Sequence, residues 1–190
     1  MRAAFVLLVL AGLLGGLWWS QGKGGVRTIT QGRVYQSGVL SAEDLRRVVR
    51  QQGIRSVIDL RQPLEEVQPE IAVLSALGVK HIHIPSAQVT EDAAVKRFVE
   101  VMSDPATYPV LIHCQHGIGR SVLFSAIYRV EFEGWDREQA RQASLRPIRR
   151  IVPGGTFAVN GPKGSYLLGY MSPRDTVASA PEPGSAQALR

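Results

Sequence analysis

Two hydrophobic patterns alternate along the chain. Short runs rich in Val and Ile, typical of buried strands, are separated by longer segments whose hydrophobic residues recur at helical spacing. Strands are predicted at residues 33–36, 54–60, 79–84 and 110–112, and helices at residues 41–53, 65–77, 90–103, 119–133 and 136–144. Strands that alternate with helices usually lie parallel in one sheet. The pattern predicts an α/β fold, a single domain with a central, mostly parallel sheet flanked by helices.

Local signals mark several helix ends. Ser41, followed three residues later by an acid, forms a capping-box arrangement, and Gly53 is a typical helix-ending residue. Thr90 and Asp136 are predicted to cap the helices that follow them. The helix at residues 119–133 is apolar on more than one face, which predicts a central and largely buried position.

The two ends of the chain differ from its middle. Residues 3–19 form an uncharged segment whose length is close to the shortest that crosses a bilayer. Trp18 and Trp19 fit an interfacial aromatic belt. An uncleaved single-pass anchor is therefore favoured over a cleaved export signal, with the side of the membrane left open. The last residues are rich in Pro, Ser, Ala and Gly, which predicts a disordered tail. The predicted organisation is an N-terminal anchor and linker at residues 1–28, a folded domain at 29–171 and a tail at 172–190.

Composition narrows the functional classes. The formal net charge is +6, hydrophobic residues make up 45% of the chain and aromatic residues 7%, with no basic stripe interleaved with aromatic residues. These values argue against a nucleic-acid partner and permit a small anionic substrate. The single cysteine excludes an internal disulfide, so its thiol is either an inert core group or a chemical one.

That cysteine, Cys114, stands between a predicted strand and a predicted helix, in the segment VLIHCQHGIGRS. Backbone N–H groups at a helix start and in a glycine-containing turn bind anions, and the same field lowers the pKa of a thiol. Arg120 can hold two phosphoryl oxygens in a bidentate fork. The segment therefore predicts a phosphate-binding loop made of Gln115, His116, Gly117, Ile118, Gly119 and Arg120.

The segment resembles the H-C-x-x-G-x-x-R-[ST] loop of the cysteine-based protein tyrosine phosphatases, particularly the compact, atypical dual-specificity branch. The segments GRVYQSG and SVIDLRQPLEE are similar to two further segments of that branch. The resemblance implies that Cys114 is the nucleophile and that Arg120 binds the phosphoryl group and stabilises its transition state. It also implies that His113 orders the loop and that Ser121 supports the thiolate as a leaving group.

A general acid is expected on a loop some thirty residues before the cysteine, by the same resemblance. Ala87 and Gln88 stand where its aspartate would be. Asp92 is the nearest carboxylate and is the predicted acid, with Glu91 beside it. Both acids also suit the first turn of a helix, where the helix dipole favours negative charge.

Three further features of the sequence could bind substrate or a metal ion. Arg61 follows a strand and is a candidate substrate-binding residue, with a surface ion pair to Glu65 as the alternative. Gln36 replaces the arginine usual in the similar opening segment, which leaves any substrate contact there in doubt. His81 and His83 share one face of a strand, and with no third ligand evident in the sequence no metal site and no cofactor are predicted.

The predicted activity is hydrolysis of phosphomonoesters through a cysteinyl-phosphate, of the phosphotyrosine or dual-specificity protein phosphatase type. The expected partners are a phosphorylated protein or small phosphorylated substrate, and the membrane through the N-terminal segment. Two alternatives stay open. One is a phospholipid or inositol phosphate phosphatase, and the other is a pseudophosphatase that binds phosphorylated partners without turnover.

Overall fold

A five-stranded sheet is the centre of the computed structural model, which describes residues 25–62, 67–88, 90–145, 154–172 and 175. The strand order is β1-β2-β5-β3-β4. The antiparallel pair is β1 with β2, and the remaining neighbours run parallel. The strands are β1 (Arg27–Thr30), β2 (Val34–Ser37), β3 (Ser56–Asp59), β4 (Lys80–His83) and β5 (Val110–His113).

Helices lie in the five segments that the sequence pattern predicts, and a sixth follows nearer the C-terminus. They are α1 (Ala42–Gln52), α2 (Gln68–Ala76), α3 (Asp92–Ser103), α4 (Arg120–Glu133), α5 (Arg137–Ser144) and α6 (Pro162–Gly169), with a 3₁₀ turn at Pro105–Thr107. The predicted α/β class, with a mostly parallel sheet flanked by helices and a loop between a strand and a buried helix, is confirmed.

The chain divides into two compact units, Met1–Ala126 and Ile127–Arg190. In the first unit, one face of the sheet presents Tyr35, Val57 and Leu111, which pack with Leu45 of α1 and Leu74 of α2. All five side chains are buried, and apolar burial of this kind contributes roughly 1.5–3 kcal/mol for each large side chain.

The second unit contains α5 and α6. Asp136 caps α5 as predicted, since its carboxylate accepts a hydrogen bond from the Gln139 N–H at 2.8 Å. The buried Arg141 of α5 donates from Nη1 to the Phe157 carbonyl at 2.8 Å. This bond ties the helix to the segment that precedes α6.

Some of the predicted helix caps are present in the structure and others are not. Ser41 and Gly53 cap α1 as expected, with Gly53 in the left-handed conformation at φ 62°. Thr90 does not cap α3, because the N-cap residue is Glu91. Strand β1 and helix α6 are not among the predicted elements. Strand β1 lacks a hydrophobic pattern because it is a short edge strand with a polar, partly exposed sequence.

The predicted membrane localisation is contradicted, and a membrane partner through the N-terminal segment is not supported. Within the described ranges no helix is long and apolar enough to cross a bilayer. The longest, α4, has 14 residues, which at about 1.5 Å per residue falls short of the roughly 30 Å hydrocarbon core. The segment on which the prediction rested, residues 3–19, lies outside the described residues, as does most of the predicted tail.

Candidate active site

The site is built where three parallel strands end. Strand β5 lies between β2 and β3, so the carboxyl ends of all three strands meet at the same edge of the sheet. Ser37, His113 and Asp59 are in register across these ends. The chain that leaves β5 forms the loop at residues 114–119 and then enters α4. The phosphate-binding loop predicted from the sequence is therefore flanked by the ends of β2 and β3.

Cys114 begins this loop, and its side chain is buried. Its Sγ lies 3.3 Å from the Ser121 Oγ. Burial alone would raise the pKa of the thiol, but hydrogen bonds from the Ser121 hydroxyl and from the backbone N–H groups of Ser121, Gly117 and His116 outweigh it. The pKa of Cys114 is therefore lowered, which favours the nucleophilic thiolate.

Gly117 gives the loop its shape. Its φ of 68° is in the left-handed region, and a Cβ at this position would lie 2.4 Å from the Gly38 N and 2.8 Å from the Ser37 C. No larger residue fits this approach between the loop and the end of β2. Gln115, His116 and Ile118 project from the loop with exposed side chains.

Gln36, near the end of β2, points into the site. Its Nε2 donates to the Gly117 carbonyl at 2.9 Å and to the Ser121 Oγ at 2.8 Å. The Ser121 Oγ also lies 3.2 Å from the Ser37 carbonyl. Gln36 therefore connects the loop at residues 114–119 with the hydroxyl that contacts Cys114.

Arg120 is held by two backbone carbonyls. Its Nη1 donates to the Leu60 O at 2.8 Å and to the Ser86 O at 3.0 Å, and the side chain is buried. These bonds use both protons of Nη1, and no hydrogen bond to Nε or Nη2 is present among the described residues. The Nε–Nη2 edge thus keeps two donors with the spacing of two phosphoryl oxygens.

Arg61 is engaged by two carboxylates beneath the loop. Its Nη2 lies 2.6 Å from Asp59 Oδ2 and 2.9 Å from Glu70 Oε2, and its Nε donates to Asp59 Oδ1 at 3.0 Å. The arginine is only 4% exposed. This pairing favours a structural role, and the predicted contact of Arg61 with substrate stays a prediction. The partner proposed from sequence, Glu65, lies outside the described residues.

Two histidines lie near the Asp59 and Glu70 carboxylates, and a third contacts the backbone of Arg61. His113 Nε2 lies 2.8 Å from Glu70 Oε1 without hydrogen-bond geometry, His81 Nε2 lies 3.5 Å from Asp59 Oδ2, and the His83 ring contacts the Arg61 carbonyl at 2.7 Å. His113 is thus placed at the base of the loop that it is predicted to order.

Asp59, Glu70 and His81 bring potential ligand atoms within 4.8 Å of one another, a grouping the sequence did not reveal. The Arg61 guanidinium already occupies both carboxylates. A divalent cation would have to displace or repel that charge, so the geometry favours an ion-pair cluster over a metal centre.

Asp59→Asn is expected to destabilise the fold by about 1–3 kcal/mol, because it removes the charged acceptor of three buried Arg61 donors, although Glu70 still balances the guanidinium charge. Burial would raise the pKa of Asp59, but contacts with His81 and Arg61 and the charge of His113 hold it well below its usual range. The contribution of the carboxylate to stability is therefore full above the unfolded-state pKa of about 4 and is lost only as the pH falls through the lower folded-state pKa.

Urea unfolding at neutral pH measures this effect, with Glu43→Gln as the control, since Glu43 is exposed on α1. An Asp59→Asn variant as stable as the control would contradict the role given to the ion pair.

The expected general-acid segment lies against the site. Ser86, whose carbonyl accepts from Arg120, is followed directly by Ala87 and Gln88, so neither residue there supplies a carboxylate. Asp92 is the exposed first residue of α3, and Glu91 is its N-cap. The acid role of Asp92 stays a prediction.

The geometry defines a class of protein: a buried thiol of lowered pKa begins a glycine-containing loop that an arginine closes at a helix start, as in the cysteine-based protein tyrosine phosphatases. A family model described as "PTP-NADK: DSP-PTPase phosphatase fused to NAD+ Kinase" matches residues 19–149. The chain belongs to this family, within the dual-specificity branch of that class.

Similar proteins agree with this assignment. The dual specificity protein phosphatase TpbA of Pseudomonas aeruginosa strain UCBPP-PA14 is 35% identical over 81 residues, which are 42% of this chain and 35% of the relative. The chain thus spans about a third of the length of the curated relative it matches.

Solved structures show the same fold. The catalytic core of the PP-IP phosphatase SIW14 from S. cerevisiae has a TM-score of 0.65 at 17% identity, covering 80% of this chain and 89% of that chain. P. aeruginosa TpbA has a TM-score of 0.53 at 24% identity, covering 74% and 81%.

Neither the bonds of Gln36 to Gly117 and Ser121 nor the pairing of Asp59 with Arg61 was predicted from the sequence. Strand alternation contained a signal for both. Gln36 alternates with Tyr35 and so faces away from the α1 and α2 core, and Asp59 and Arg61 are two residues apart at the end of a buried strand. For Glu70, nine residues beyond Arg61, the sequence carried no comparable signal.

Proposed function

We propose that this protein hydrolyses phosphomonoesters through a cysteinyl-phosphate intermediate and acts on phosphotyrosine or dual-specificity protein substrates. The observation that carries the proposal is the environment of Cys114, whose sulfur is buried beside the Ser121 hydroxyl with a lowered thiol pKa. A lowered thiol pKa favours the thiolate, which is the form of cysteine that acts as a nucleophile.

In the first step the Cys114 thiolate attacks phosphorus. The S–P bond forms as the P–O bond to the leaving group breaks, and the departing oxygen takes a proton from an acid or from water. The Nε–Nη2 edge of Arg120 and the loop N–H groups stabilise the charge on the equatorial oxygens. Because Nη1 is fixed by two carbonyls, the guanidinium is already oriented before substrate arrives.

In the second step water attacks the phosphorus of the cysteinyl-phosphate and the S–P bond breaks. The electron pair returns to sulfur, so a donor that stabilises the thiolate makes it a better leaving group. The Ser121 hydroxyl, 3.3 Å from the sulfur, is that donor. Inorganic phosphate then leaves and the thiolate is restored.

The substrate class is supported by the loop and by the relatives. Gln115 and Ile118, which project from the loop, carry no charge, and Ile118 is 49% exposed. An apolar side chain at the mouth suits an aromatic or peptide leaving group better than a highly phosphorylated inositol. The relative TpbA is named a dual specificity protein phosphatase.

A substrate panel tests the proposal. The full chain is incubated with p-nitrophenyl phosphate, phosphotyrosine and phosphothreonine peptides, and a phosphatidylinositol phosphate, and released phosphate is measured. Turnover of the aryl phosphate and the phosphotyrosine peptide is expected. Phosphate release from the inositol lipid alone would mean that the substrates are phospholipids and not phosphoproteins. Binding of these compounds without any phosphate release would make the protein a phosphate-binding module.

Asp92→Asn is expected to slow hydrolysis of a phosphate ester with a poor alkyl leaving group by roughly 10²–10⁴, and hydrolysis of p-nitrophenyl phosphate far less. A basic departing oxygen needs the proton, whereas p-nitrophenolate does not. The ratio of kcat/KM for the two substrates is the measurement, and Glu91→Gln is the matched comparison at the neighbouring position. Equal, small effects on both substrates would mean that Asp92 only begins its helix.

A further inference from the structure

Gln36 is an unusual residue for a buried position on an interior strand of the sheet. It lies on β2 next to β5 and is 1% exposed. Its Oε1 has no hydrogen-bond partner among the described residues, and an unpartnered buried acceptor costs about 1–3 kcal/mol. An apolar side chain would avoid this cost, so fold stability does not explain the amide.

The orientation of the amide follows from its partners. The Gly117 carbonyl lies 2.9 Å from one end of the amide, and a carbonyl oxygen can only accept. The group facing Gly117 must therefore be the NH₂, whose second proton reaches the Ser121 Oγ at 2.8 Å. With the amide reversed, two acceptors would face each other at both the Gly117 and the Ser37 carbonyls.

This orientation determines what the Ser121 hydroxyl can do. The hydroxyl has one proton and three polar neighbours: the Gln36 Nε2, the Ser37 O at 3.2 Å and the Cys114 Sγ at 3.3 Å. Since the amide NH₂ donates to the oxygen, the hydroxyl proton points to the carbonyl or to the sulfur. A charged thiolate is a stronger acceptor than a neutral carbonyl. A proton on the hydroxyl is thus directed to sulfur whenever the sulfur is charged.

We propose that Gln36 is a positioning residue of the active site, which holds the Ser121 hydroxyl as a donor to the Cys114 sulfur and ties the phosphate-binding loop to β2 at Gly117. Gln36, which stands where the similar segment has an arginine, thus acts on the nucleophile through Ser121, and this role requires no contact with substrate. The inference rests on the proposed function only for the catalytic use of the thiolate.

The thiolate itself can be measured without turnover. Cys114 is the single cysteine of the chain, so the rate of alkylation by iodoacetamide reports its ionisation alone. Iodoacetamide is uncharged, so the rate does not depend on anion binding by Arg120. The inflection of the rate against pH gives the pKa of the thiol in each variant.

Gln36→Met keeps the length of the side chain and removes both donors. Its alkylation inflection is expected about one pH unit above that of the unmodified protein, which makes alkylation about tenfold slower below the inflection. Gln36→Glu is expected to shift the inflection further, because a carboxylate accepts the Ser121 proton and places negative charge near the sulfur. Tyr35→Phe is the control, since it removes one hydrogen bond, which the Tyr35 hydroxyl accepts from the Gly32 N–H, on the opposite face of the same strand.

A double-mutant cycle separates positioning from a general structural effect. If Gln36 acts through Ser121, the shift caused by Gln36→Met disappears in a Ser121→Ala background. An unchanged inflection in a folded Gln36→Met protein, or a shift that persists without the hydroxyl, would overturn the proposal. If Gln36→Met does not fold, the inflections of Gln36→Glu and Tyr35→Phe are compared instead. The proposal requires a higher inflection in Gln36→Glu than in Tyr35→Phe, and equal inflections would overturn it.

Failure of this inference and failure of the proposed function look different. A shifted inflection in Gln36→Met together with no phosphate release by the unmodified protein would support the positioning role and contradict the phosphatase. Phosphate release with identical inflections in all folded Gln36 variants would support the phosphatase and contradict the positioning role.

Discussion

Cys114→Ser is expected to abolish phosphate release, with kcat reduced by roughly 10⁴–10⁶. A serine hydroxyl at neutral pH is almost entirely protonated, and the donors that lower the thiol pKa cannot ionise it to a comparable extent. The backbone N–H groups of the loop and Arg120 are unchanged, so phosphate should still bind. Steady-state hydrolysis of p-nitrophenyl phosphate and calorimetric titration with inorganic phosphate measure the two properties separately.

Ser125→Ala is the matched control for this substitution. Ser125 is buried in α4 and bonds to the Ser121 carbonyl, one turn from the site, without contacting the sulfur. It should retain turnover within a fewfold of the unmodified protein. Near-normal turnover by Cys114→Ser itself would end the covalent mechanism.

Arg120→Lys is expected to reduce kcat/KM for p-nitrophenyl phosphate by roughly 10²–10³. Arginine uses one nitrogen on the Leu60 and Ser86 carbonyls and presents two others to the phosphoryl group. A lysine has a single nitrogen, which can satisfy the carbonyls or the phosphoryl oxygens but cannot orient two parallel donors.

The control for the charge-conserving change is Arg97→Lys, at an exposed position on α3 where arginine pairs with Glu100. It should leave kcat/KM unaltered. If Arg120→Lys behaved like this control, the bidentate role assigned to Arg120 would be wrong.

The loop was predictable because its chemistry is local. Cys114, Gly117 and Arg120 are within seven positions of one another, and a strand, a left-handed glycine and a helix start are all visible in a short segment. The capping of α1 by Ser41 and Gly53 was predictable for the same reason, since each cap depends on neighbours a few residues away.

The unpredicted features depend on residues far apart in sequence. The bond from Gln36 to Ser121 spans 85 positions and that from Arg120 to the Leu60 carbonyl spans 60. Such contacts arise from the strand order, in which β5 inserts between β2 and β3 although it is last in the chain. The carboxylate partners of Arg61 could not be predicted, because periodicity assigns a residue to a face but does not identify Asp59 and Glu70 as its contacts.

The central claim is the phosphorylated sulfur, and it is tested most directly by trapping that intermediate. The protein is mixed with p-nitrophenyl phosphate, quenched in acid within the first turnover and digested, and the peptide that contains Cys114 is analysed by mass spectrometry. The account predicts a peptide heavier by one phosphoryl group on Cys114, absent when phosphate replaces the ester and absent in Cys114→Ser. A burst of p-nitrophenol with no phosphorylated Cys114 peptide, or with the phosphoryl group on another residue, would contradict it.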